Sequence, residues 1–206
     1  MKRYFLLIAL ALGCAAATQA QITAPIQETP ASTENPDAKY LVPLPLEPTG
    51  QVYLERVITL PEGTNTEETL TKLKDWMDRC MKDSRIISSI PVETDEPNTL
   101  QMMVNQEIIF SQSFLALDNG QLNYLLQVGV KDGKIDLQMR RISFRYNGDN
   151  PDRKMLRISA EEYIADKVAL NKKGDKILRA FRKFRVKTVD LIDEYESSLK
   201  MAFWLK

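Results

Sequence analysis

Residues 179–187, RAFRKFRVK, carry five basic side chains in nine positions with two phenylalanines between them. Cations interleaved with aromatic rings can neutralise phosphates and stack on bases, or seat a helix on an anionic surface. Arg179, Arg182, Lys183, Arg185 and Lys187 are therefore the candidate interaction residues. Other chemistries have fewer parts to work with. The chain has no histidine, which removes the Ser-His-Asp and Cys-His constellations, most zinc sites and the commonest general base at neutral pH. Cys80 has no histidine to activate it and reads as a buried, inert thiol. The carboxylate pairs Glu67-Glu68 and Glu161-Glu162 are accounted for by helix starts. Arg140-Arg141 forms a candidate anion site or two exposed side chains beside a twist, and Glu107 interrupts an apolar strand. No Gly-rich phosphate loop or metal-spaced cluster is present, so no catalytic, cofactor-binding or metal-binding residue is assigned and no cofactor is expected.

The element that carries the basic run decides how it is used. On a helix, Ile177, Phe181, Phe184, Thr188, Ile192, Tyr195, Leu199 and Phe203 fall on one stripe. Arg179, Arg182, Lys183 and Lys187 point away from it, so the phenylalanines face a core rather than a nucleic acid. Arg185 lies close to the stripe, with its stem expected along the apolar surface and its head in water. Charge divides along this helix. From Lys172 to Lys187 there are eight basic residues and one acid, while Thr188–Lys200 carries Asp190, Asp193, Glu194 and Glu196 against Lys200. Both halves oppose the helix dipole. The readings left open are a solvated face, a protein partner or antiparallel pairing with a second copy, and an anionic membrane surface.

The beginning of the chain bears on partners. Lys2 and Arg3, the apolar run 4–13 and the small residues before Gln21 read as a signal peptide over residues 1–20. Export to the periplasm or beyond is expected, which disfavours nucleic acid as a partner. Cys14 in ALGC offers the alternative of a lipid anchor. Without Lys2 and Arg3 there remain 26 basic and 28 acidic residues, a balance that implies no polyanion binder overall. Residues 21–39 are polar and proline-punctuated and read as a disordered tether. YLVPLPLEP (40–48) reads as an extended segment docked on the domain.

Between these ends lies a mixed pattern. Val52, Leu54, Ile58 and Leu60 share a strand face, and Pro61 and Gly63 end the strand. Thr64 and Glu67 have capping-box spacing before a helix with Leu70, Leu73, Met77, Cys80 and Met81 inward and Trp76 as a core anchor. IISSIPV (86–92) is a short strand, and Leu100, Met102, Val104, Ile108 and Phe110 share one parity in the next. Asn119-Gly120 and Asp132-Gly133 are hairpin signals on either side of the alternating Leu122, Tyr124, Leu126, Val128 and Val130. Inward parity then slips between Ile135-Leu137-Met139 and Ile142-Phe144-Tyr146, and a β-bulge near Arg140-Arg141 restores it. Ser159 and Glu162 form a second capping box opening a helix over 160–170, Gly174 breaks it, and Asp175 is placed to cap the last helix.

VYLERVITLPEGTNTEETLTKLKDWM (52–77) and LLQVGVKDGKIDLQMRRISFRY (125–146) together resemble domain of unknown function 4468, a family of exported Bacteroidetes proteins. The resemblance covers 40–147, and 158–173 is similar to the tail of some members. It implies an α+β fold like that of the TATA-binding protein: a curved antiparallel sheet with helices packed on one face, here with a long C-terminal helix. Residues 40–147 are then the domain and 148–206 a helical extension packed on or beside it. The resemblance supplies no catalytic or binding residues, and DNA binding does not follow from fold. The functional expectation is a non-enzymatic exported domain acting through binding or assembly. The alternatives are a carrier of a small apolar ligand between sheet and helices, and a module that rests the basic half of the last helix on a membrane surface.

Overall fold

Strand alternation builds the sheet first. In the computed structural model, which describes residues 35–113, 117–148 and 154–204, six antiparallel strands form one sheet. They are β1 (Leu54–Thr59), β2 (Ile86–Val92), β3 (Thr99–Gln112), β4 (Leu117–Lys131), β5 (Lys134–Tyr146) and β6 (Leu156–Ser159), in the order β1-β5-β4-β3-β2. The short β6 pairs with the far end of β5, alongside the stretch that β1 leaves free.

One parity of β1, β3, β4 and β5 is buried under the helices. Leu54 and Ile58 of β1, Met102, Val104 and Ile108 of β3, and Leu122, Tyr124, Leu126 and Val128 of β4 make this inward face. On β5 the inward set is Ile135, Leu137, Met139, Ile142 and Phe144. The slip is resolved by a bulge: Asn123 pairs with Ser143 but Leu125 with Arg140, and Arg141 sits at φ 52. The extra residue returns Ile142 and Phe144 to the core side.

The two expected hairpin signals behave differently. Asp132 (φ 50) and Gly133 (φ 70) make the tight β4–β5 turn. Asn119-Gly120 lies inside β4, and the β3–β4 reversal falls earlier, between Gln112 and Leu117. Glycine is needed at 120 because a Cβ there would sit 2.9 Å from the carbonyl oxygen of Arg145 on β5. The dipeptide marks a close approach of backbones, not a turn.

Five helices complete the described residues: α1 (Ala38–Leu41), α2 (Thr66–Cys80), α3 (Ala160–Tyr163), α4 (Asp166–Ala169) and α5 (Arg179–Trp204). The cap of α2 is Asn65, whose side chain accepts from the backbone N–H groups of Glu67 and Glu68. Thr64 instead donates its hydroxyl to the Pro61 carbonyl. Ser159 and Glu162 do form the expected capping box, but only one turn follows: Ala165 adopts extended backbone and α4 starts afresh. Asp175 does not cap α5. It is tied to Asn171 within the preceding turn, and α5 begins four residues later with no acid in its first turn. Tertiary packing holds that end, against its dipole.

Trp76, Leu73 and Met77 of α2 join Phe184, Val189, Leu191, Ile192, Tyr195 and Leu199 of α5 in the same core as the sheet. The C-terminal residues are therefore part of one core. Residues 35–39, the end of the span read as tether, fold against α5 together with Tyr40, and the unit that holds all the described residues begins at Asn35. The segment read as a signal peptide (residues 1–20), Cys14 within it, and residues 21–34 lie outside the described residues.

Candidate functional site

The five candidate cations separate into three roles. Arg185 is fully buried. Its Nε donates to the Tyr40 carbonyl at 2.6 Å and one terminal nitrogen to the Val42 carbonyl at 2.8 Å. The other terminal nitrogen donates to the Ile164 carbonyl at 2.6 Å and to Asp166 Oδ1 at 2.7 Å. The expectation that its head reaches water is overturned, because three carbonyls and a carboxylate replace the water inside. Arg182 pairs through both terminal nitrogens with Asp37, holding that carboxyl below its usual range. Lys183 donates to Asp118 Oδ2 at 2.7 Å and to the Tyr146 hydroxyl, with its ammonium 4.8 Å from the Phe110 ring centre. Only Arg179 and Lys187 have no ion-pair partner among the described residues.

The acidic half of α5 is likewise occupied. Asp190 accepts from Lys39 Nζ at 2.6 Å and from the Tyr40 hydroxyl at 2.8 Å. Asp193 accepts from Arg56 at 2.7 Å, Glu194 meets Arg85 at 3.2 Å and Glu196 lies 3.5 Å from Arg56. These acids tie α5 to α1, β1 and the α2–β2 corner.

A second feature was not expected. An open groove of about 810 Å³ runs between the C-terminal end of α2, the start of β2 and the last turns of α5. Ile86, Leu191, Met201 and Ala202 give it apolar walls, and the edge of Trp76 reaches it. Trp76 itself is a core anchor, 1% exposed, with its Nε1 donating to Ser198 Oγ at 2.9 Å and its ring edge-on to Tyr195. This residue and its neighbours Leu73, Met77 and Tyr195 fill the part of the core between α2, α5 and the sheet. The open volume lies beside them, at the protein surface.

The groove floor contains a directional chain of buried polar groups. Tyr124 donates to Gln106 Oε1 at 2.7 Å, and the hydroxyls of Tyr124 and Tyr195 are 2.6 Å apart. With its proton committed to Gln106, Tyr124 accepts from Tyr195. That leaves a lone pair on Tyr195 and the amide N–H groups of Gln106, which have no partner among the described residues, at the floor. Both residues are more than nine-tenths buried. Burial raises both tyrosines well out of the range in which they would ionise. It also pushes the Cys80 thiol, at the groove wall, up to about 11. At neutral pH these groups offer uncharged hydrogen-bond donors and acceptors. Around the rim stand Arg79, Lys82 and Arg85, with Asp83 and Glu194 paired to Arg85.

Of the remaining sequence candidates, Arg140 donates to Glu47 at 2.8 Å and Arg141 is exposed at the bulge, so the two do not converge on an anion. Glu107 accepts from Asn119 at 2.7 Å on the sheet face that carries no helix. Glu161 does more than favour a helix start, accepting from the Val52 N–H at 2.7 Å. Among the described residues no group of three His, Cys, Asp or Glu side chains is placed to hold a metal, and no helix is long and apolar enough to cross a membrane. Gln106 had one signal in the sequence: a polar side chain at an inward position between Val104 and Ile108. Tyr195 had its place on the inward stripe of the last helix, while Ser198 and Arg85 had no signal, since only the packing of α5 on α2 brings them together.

An antiparallel sheet carrying its helices on one face defines an α+β domain of the TATA-binding-protein type. Residues 55–145 match the family described as domain of unknown function (DUF4468) with TBP-like fold. The chain is also similar to the crystal structure of a DUF4468 family protein from Bacteroides ovatus. That match has 33% identity and a TM-score of 0.72, and covers 83% of this chain and 96% of that one. The protein belongs to the DUF4468 family. A TBP-like protein from Parabacteroides distasonis shares the fold at 17% identity and a TM-score of 0.59, covering 77% of this chain and 96% of that one. No curated protein matches.

Proposed function

We propose that the protein is a non-catalytic binding domain, exported by its N-terminal leader, whose ligand site is the α2–α5 groove. The observation that carries this reading is the groove itself: about 810 Å³, with apolar walls over a floor where Gln106 and Tyr195 keep unmatched hydrogen-bonding capacity. Ligand sites combine this order of volume with a few convergent polar groups. The ligand would place an apolar body against Ile86, Leu191 and Met201, and a neutral polar end on the floor. Against catalysis stand the protonated Cys80 thiol and the un-ionised tyrosines. Asp136, a carboxyl raised to about 6, lies on the opposite face of the sheet, away from the groove.

Ala202→Trp fills the groove from α5 without entering the core. Titration with the neutral fluorophore N-phenyl-1-naphthylamine should show saturable binding by the wild type and at least about tenfold weaker binding by the variant, with unfolding midpoints alike. Equal affinities would reject the groove as the site. Export is tested separately, by mass spectrometry of the chain recovered from cell fractions. A mature N-terminus at Gln21 is expected, and an uncleaved chain in the cytoplasm would remove that part of the reading.

A further inference from the structure

The basic half of α5 is left with a surface that neither the fold nor the groove uses. Arg179, Lys183 and Lys187 follow one another at intervals of four residues, about 6 Å apart along the axis. With Arg182 they line a cleft of about 260 Å³ whose floor is Phe110 and Val186, and no acid lines it. The cleft has rigid and free walls. Arg182 and Lys183 are fixed by Asp37 and Asp118, while Arg179 and Lys187 have no carboxylate partner among the described residues. On the preceding turn Lys172, Lys173 and Lys176 are exposed and also without ion pairs among the described residues. The one acid of that turn, Asp175, is held by Asn171. Immediately before the helix, Leu178 is 40% exposed.

We propose that this shoulder of α5 binds the headgroups of anionic lipids. Two unneutralised cations at a small cleft with an aromatic and aliphatic floor, and three more on the turn before the helix, match a phosphate joined to an apolar tail. Leu178 is placed to enter the acyl boundary while the lysines meet the charged layer. Nucleic acid fits less well, because Phe184 is buried in the core and Phe181 packs edge-on against Tyr163, leaving neither ring for base stacking. A soluble phosphate would use the cations but would draw nothing from Leu178.

The test is vesicle co-sedimentation of the full chain, comparing phosphatidylcholine alone with phosphatidylcholine containing phosphatidylglycerol. At low ionic strength the anionic vesicles should retain at least about tenfold more protein, and added salt should abolish the difference. Arg179→Glu with Lys187→Glu should remove the preference while leaving the thermal midpoint unchanged, since neither residue holds the fold. Arg182 and Lys183 are avoided because Asp37 and Asp118 already occupy them, and Arg185 because it holds the fold. Equal recovery on both vesicles would overturn the proposal, as would a double variant that binds like the wild type. Binding of inorganic pyrophosphate or duplex DNA without vesicle binding would overturn it too, in favour of a soluble anion or nucleic acid. None of these outcomes depends on the groove.

Discussion

Arg185 and Asp166 stand 2.7 Å apart in the place where α5, the α3–α4 corner and the chain entering from α1 meet, and the guanidinium is fully buried. Truncating the guanidinium leaves the carbonyls of Tyr40, Val42 and Ile164 without their donor and the partly exposed Asp166 carboxylate without its counter-charge. Arg185→Met should therefore lower unfolding free energy by about 3–5 kcal/mol. Arg185→Lys should recover little, because one ammonium cannot span four acceptors. Arg182→Ala, which breaks only the exposed pair with Asp37, should cost less than about 1 kcal/mol. Urea unfolding of the three variants gives the ranking, and similar losses at 182 and 185 would contradict it.

The hydroxyl chain at the groove floor predicts an order of effects. Tyr124→Phe removes the middle link and strands both Gln106 Oε1 and the Tyr195 hydroxyl, for a loss of about 2–3 kcal/mol. Tyr195→Phe leaves Tyr124 still donating to Gln106 and should cost about 1 kcal/mol. Guanidinium unfolding at neutral pH should reproduce that order; the reverse would mean the chain runs the other way.

Asp136 supplies a pH signature. Desolvation, followed by the nearby Glu55 carboxylate, raises its pKa to about 6. The folded chain then holds more protons than the unfolded one between about pH 4 and 6, so this group makes stability fall as pH rises through that window and level off above it. The side chain is partly exposed, and solvent screening reduces the effect to about 1 kcal/mol. Asp136→Asn should be more stable than wild type by that amount at pH 7.5 and equal to it at pH 3.5, read from denaturation curves.

Two glycines should respond differently to alanine. At Gly120 the added Cβ meets the Arg145 carbonyl at 2.9 Å, and prising β4 from β5 should cost about 1–3 kcal/mol. At Gly133 there is open space but φ is +70, so the loss is about 1 kcal/mol and Gly133→Asn should recover most of it. Thermal unfolding distinguishes the two cases: an asparagine rescue at 120 would contradict the crowding argument.

Much of the architecture is legible from periodicity. The inward residues of β1, β3, β4 and β5 follow from alternation, and the bulge at Arg140-Arg141 follows from the parity slip, because burial on one sheet face forbids a register in which half a strand points outward. The apolar stripe of α5 follows from its 3.6-residue period for the same reason. The turn chemistry was less secure. Asn119-Gly120 has a hairpin composition, yet its glycine answers to a neighbouring strand that is remote in sequence. The short β6 and the break between α3 and α4 were also missed, because four-residue elements are set by what they pack against.

The sequence by itself determined the sheet-and-helix class, the buried faces and the absence of histidine-based chemistry, since these rest on composition and on local periods. It did not determine what the basic run does. Whether a cation meets water, a carboxylate or a backbone carbonyl depends on segments more than a hundred residues away, as Arg185 shows with Tyr40 and Arg182 with Asp37. The α2–α5 groove was decided in the same way. It is lined by the end of α2, the start of β2 and the last turns of α5, a relation of three elements that none of their sequences contains alone.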